Sequence, residues 1–176
     1  MGSKIQLVTA LGKIEFSVEL ESATRPLINI SKKIFIPQLP SGMAVERATA
    51  VVLQINAKDP IRKVTFSCFF DQSLLRGHSC SGQFLDAWEW ESENNLVIIG
   101  TEDGEALGYR LEKSEYTIKN TPVFYENNKL SIIINDWVSH KTLSLHYIVA
   151  ENSLPEQVDC SCWFASDQPH ENLLPK

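Results

Sequence analysis

A chain of 176 residues with 43% hydrophobic and 22% charged side chains can fill one hydrophobic core without disulfides or a structural metal. Its net charge of −6 argues against a nucleic-acid reader, which needs a basic face to displace counterions from phosphates. No apolar run reaches the roughly 18 residues of a membrane-spanning helix, and residues 1–10 lack a signal-peptide core, so no membrane association and a cytoplasmic location are the expectations.

Residues 5–7 and 14–20 alternate apolar and polar side chains on either side of Leu11-Gly12. Ile14, Phe16, Val18 and Leu20 are separated by Glu15, Ser17 and Glu19, the period-2 signature of a strand with one buried face. Residues 28–36 repeat the pattern through Ile28, Ile30, Ile34 and Ile36, and Pro37 ends the run. Residues 48–55 and 64–70 read as further strands. Residues 71–82 are less regular, with room for a helical turn at 72–76.

From Gln83 onward the spacing predicts a ladder of strands at 84–91, 95–101, 105–112, 116–126, 129–136, 142–150 and 159–165. Two connections carry turn chemistry of their own. Asp103-Gly104 and Asn127-Asn128 both offer residues that tolerate the positive φ of a tight hairpin turn. No segment sustains a helical period over a dozen residues. The expected architecture is an all-β antiparallel sandwich or jelly roll of roughly ten to twelve strands, ending in a C-terminal hairpin meander. Residues 1–165 form its single domain, and residues 166–176, with two prolines, form an extended tail.

Chemistry-bearing residues fall into three groups. His78, Cys80, Cys160 and Cys162 form two i, i+2 pairs, and on strands each pair would present two ligands to one face. Convergence of the pairs would make a four-ligand zinc site, against the simpler reading that Cys68, Cys80, Cys160 and Cys162 are reduced, packed thiols and that there is no cofactor. Asp86, Trp88 and Trp90 also alternate, so both indoles share a face. There they could stack on a sugar ring while Asp86 accepts its hydroxyls, or they could fill the core. Trp137 and His140 belong to a predicted connection, where an exposed indole would anchor a partner or Trp137 would cap the end of the sandwich.

Catalysis finds little support. The sequence from Gly77 to Gly82 misses the Gly-x-Ser-x-Gly elbow by one position and lacks its helix. The expected function is therefore a non-catalytic binding or assembly module that engages a protein partner or self-associates through loops, a sheet face or an edge such as residues 28–36. Carbohydrate binding through Trp88, Trp90 and Asp86 is the alternative.

Overall fold

The computed structural model describes residues 3–71, 77–80, 82, 84–113, 123–126, 128–137, 142–153 and 160–174. Among these residues, eleven strands form two antiparallel sheets. One sheet joins β1 (Lys4–Thr9), β2 (Gly12–Ser22), β5 (Ile61–Phe70), β10 (Lys129–Trp137) and β9 (Val123–Glu126), in that order. The other joins β3 (Leu27–Ile34), β4 (Arg47–Asn56), β11 (Leu143–Ser153), β8 (Asn95–Glu102), β7 (Leu85–Glu91) and β6 (His78–Ser79). The all-β sandwich expected from the period-2 patterning is the observed fold.

The two sheets meet over Phe16, Val18, Phe66, Phe70, Leu53, Ile99, Leu145 and Tyr147, all buried. Burying such side chains removes apolar surface from water at about 25 cal/mol per Å². Tyr147 crosses from β11 into the first sheet. Its ring packs against Phe66 and Phe16, and its hydroxyl donates towards the Phe66 carbonyl at 2.9 Å and the Leu130 carbonyl at 3.0 Å. A buried phenol with its proton placed ties the layers together without a polar penalty.

The second sheet is covered on its other face as well. There Leu85, Ala87, Ile98 and Ala150 pack against Cys162 and Ala165 of helix α2 (Ser161–Ser166). Ala50, Val52 and Ile148 pack against Leu173 and Phe35. This explains why β4 and β11 read as near-continuous apolar runs while β2 alternates cleanly: strands buried on both faces lose the polar half of the pattern.

Three sequence expectations change. Asp103-Gly104 does not turn a hairpin. Asp103 is the N-cap of helix α1 (Gly104–Leu111), its carboxylate accepting from the Ala106 amide at 2.8 Å, which satisfies one of the free amides of the first turn. Glu105 lies in the first turn and Arg110 in the last, each suited to its end of the helix dipole. Secondly, residues 161–166 are helical rather than a strand. Thirdly, the C-terminal residues are packed: His170–Leu173 forms a 3-10 turn that buries His170 and Leu173. β9 and β10 do pair antiparallel as expected, with Asn128 at φ 59°, while Asn127 lies outside the described residues. The proposed turn at 72–76 lies outside the described residues.

Candidate functional site

At one flank of the sandwich both sheets end in an edge strand, β1 in one and β3 in the other. The two edges are treated differently. Two outward carbonyls of β1 are occupied by side chains from the opposite sheet: Lys32 Nζ donates to Gln6 O at 3.2 Å, and Arg47 Nη2 donates to Val8 O at 2.7 Å. Such cationic cover is a common protection of a sheet edge.

Among the described residues, β3 has no such cover. It pairs with β4 from Leu27↔Asn56 to Ile34↔Thr49, and the Phe35 amide continues the ladder by donating to Ala48 O. Because backbone groups alternate direction along a strand, this bond sets the phase. The odd residues 27–35 address β4, and the N–H and C=O groups of Ile28, Ile30, Lys32 and Ile34 point away from the sheet. Among the described residues none of these outward groups has a hydrogen-bond partner. Ile28 and Ile30, partly buried, pack their side chains against the core. Leu27, Ile34 and Ile36 are 70%, 71% and 95% exposed. Apolar side chains beside an unpaired ladder are the two components that an added strand uses.

A second concentration of chemistry lies on the outer face of the second sheet. Glu102 ends β8, and Arg110 from α1 grips it through Nε to Oε1 at 2.7 Å and Nη2 to Oε2 at 2.6 Å. His146 on β11 places Nδ1 3.7 Å from Glu102 Oε2 and 2.7 Å from His170 Nδ1. The Nε2 atom of His170 lies 2.9 Å from Ser144 Oγ. Burial, seconded by Arg110, lowers His146 to about 3. Burial, followed by His146 and Arg110, lowers His170 to about 3 despite the opposing pull of Glu102. Both rings are therefore neutral at pH 7, and the short Nδ1–Nδ1 contact requires one of them to carry its proton on Nδ1.

Glu102, His146 and His170 bring ligand atoms within 4.8 Å of one another, and two imidazoles with a carboxylate suit a divalent ion of the zinc type. Arg110 already engages both oxygens of Glu102, and a dication beside that guanidinium would have two buried like charges to hold. The order Ser144, His170, His146 is also that of a nucleophile, a base and an orienting group. A base near 3 is poorly matched to proton abstraction at neutral pH. The cluster is a closed hydrogen-bonded network that fixes the C-terminal turn to the sheet.

The residues singled out in the sequence are dispersed. Trp90 is 1% exposed and packs on Phe70, so it offers no sugar platform. Trp88 shares its face as expected, but Tyr125 stacks on it with 9° between the rings. Gly77 sits over both indoles, where a Cβ would overlap Trp88 Nε1. Asp86 is pushed up to about 6 by burial and then by Asp103. Trp137 is buried in the core, with Lys113 Nζ 5.4 Å from its ring centre, rather than exposed as an anchor. His140 lies outside the described residues.

The four proposed metal ligands do not converge. His78 pairs with Glu89 at 3.5 Å, Cys80 and Cys162 lie in and against the α2 layer, and Cys160 is exposed. Cys160 and Cys162 cannot present a strand face because the chain there is helical. No helix among the described residues is long and apolar enough to cross a membrane. Comparison with protein-family models, curated proteins and solved structures finds no match to this chain.

Proposed function

We propose that this chain is a non-catalytic binding and assembly module that takes up an extended protein segment as an additional strand along β3. One observation carries the reading: the outward backbone groups of Ile28, Ile30, Lys32 and Ile34 have no partner among the described residues and are flanked by the exposed Leu27, Ile34 and Ile36. Main-chain bonds would supply the affinity of such a complex, and the flanking side chains its selectivity. The neighbouring edge β1 differs in having two of its outward carbonyls, those of Gln6 and Val8, taken by Lys32 and Arg47, which supports β3 as the edge open to an added strand.

The reading is tested with Ile34→Pro. Proline removes an N–H that β4 does not use, a change an edge strand tolerates. Native mass spectrometry of complexes purified with the wild-type and variant chains should show bound protein lost from the variant alone. Assemblies identical in the two would defeat the reading.

A further inference from the structure

Resting on that reading, we infer that the segment added to β3 is the β3 strand of a second copy, paired antiparallel about a two-fold axis at Ser31. In an antiparallel ladder, residues facing each other must have the same backbone phase, so a two-fold axis can pass only through a residue position. Three central positions are available, and the side chains discriminate among them.

An axis at Lys32 sets the lysine against its own copy, and an axis at Ile30 sets Lys32 and Lys33 against Ile28 and Leu27. An axis at Ser31 sets Ile28 opposite the partner's Ile34 and Leu27 opposite the partner's Phe35. It also places Lys32 opposite the partner's Ile30 and Lys33 opposite the partner's Asn29. Apolar meets apolar at both ends, and no like charges oppose each other, an arrangement that stabilises cross-strand pairs.

The same axis satisfies the backbone. Ile28 with the partner's Ile34, and Ile30 with the partner's Lys32, form ladder pairs that exchange both their bonds. All the outward groups of β3 are thereby used. The interface is isologous, so it closes at two copies and builds no filament. The two six-stranded sheets would become one continuous sheet.

The experiment uses the full chain carrying Cys160→Ser, which removes the exposed thiol. Ser31 addresses β4, so its contact with the second copy is a non-hydrogen-bonded pair with Cα atoms about 4.5 Å apart, within disulfide reach. Under mild oxidation Ser31→Cys should give a covalent dimer rapidly, whereas Asn29→Cys, facing the partner's Lys33, should give far less. Sedimentation equilibrium should show a reversible dimer whose dissociation constant rises about tenfold or more in Ile34→Pro, with an unchanged circular dichroism spectrum confirming its fold.

A dimer that crosslinks at residue 29, or that ignores Ile34→Pro, overturns the inference. A purified chain that stays monomeric, while Ile34→Pro strips a different protein from its complexes, overturns the inference and leaves the β3 reading standing. A monomer whose complexes ignore the variant removes both.

Discussion

His146 and His170 meet through their Nδ1 atoms at 2.7 Å, joining a central strand to the C-terminal 3-10 turn on the covered face of the second sheet. Both rings are held neutral, with values lowered to about 3, while an unfolded histidine titrates near 6.5. The unfolded chain therefore binds protons at a higher pH than the folded one. The stability tied to the neutral pair is fully present above about pH 6.5 and is lost as the pH falls through about 3.

Acid should accordingly loosen the C-terminal turn. Melting temperature measured from pH 7 to pH 4 is expected to fall, and to fall less steeply in His170→Gln, which cannot take up the proton. That variant starts from a lower value because its amide repacks the site imperfectly. Parallel curves for the two proteins would show that the pair does not govern acid lability. Asp86, raised to about 6, acts with the opposite sign. Its contribution is fully present below about pH 3.8 and is lost as the pH rises through about 6, so the two effects are separable by mutation.

Arg110 is the counterweight of the same network. Removing it as Arg110→Met leaves Glu102 enclosed without its bidentate partner, and should cost about 3 kcal/mol in denaturant unfolding, as expected for a stranded buried charge. Adding Glu102→Gln to that variant should recover much of the loss, because the amide carries no charge to desolvate. A double variant as unstable as Arg110→Met would place the cost in lost packing of the arginine stem.

How much of this was legible depends on how many faces each segment buries. β2, with Ile14, Phe16 and Val18 inside and Glu15 outside, declared itself through alternation. β4 and β11 were recognisable as strands, but their apolar excess held a second message: the other face is covered too. His146 sits within Leu-His-Tyr-Ile-Val-Ala, and the apolar Leu173-Leu174 pair marks a tail with something to bury. Read together, these could have signalled the docked terminus. Glu102, His146 and His170 come from three elements, and their meeting follows from strand order and from α2, neither of which local pattern specifies. Residues 161–166 were too few to show a helical period. The β3 edge was visible as an apolar alternation, whereas its freedom from cover required the positions of Lys32 and Arg47.

The tryptophan pair separates a core from a ligand platform. Trp90→Ala should destabilise the fold by about 3–5 kcal/mol, the range for truncating a buried aromatic. Gly77→Ala should also destabilise it, by forcing a methyl group against both indoles. Titration with mono- and oligosaccharides should leave tryptophan fluorescence unchanged. A saturable change abolished by Trp88→Ala in a folded protein would restore a sugar site at this end of the sandwich.

Asp103 distinguishes the helix from the hairpin that its sequence equally suits. As an N-cap it accepts from the Ala106 amide, so Asp103→Ala should cost about 1 kcal/mol, and Asp103→Asn, which caps as well, much less. In a hairpin turn asparagine and aspartate would likewise be equivalent, so the decisive readout is Asp86. The Asp103 charge helps to hold the Asp86 carboxyl at about 6, and Asp103→Asn removes that charge while keeping the cap. Carboxyl titration by NMR should therefore show Asp86 moving down in Asp103→Asn without loss of helical exchange protection over Gly104–Leu111. An Asp86 titration that does not move would mean that burial alone raises it, and loss of protection would mean that the charge on Asp103, beyond its hydrogen bond, holds the first turn.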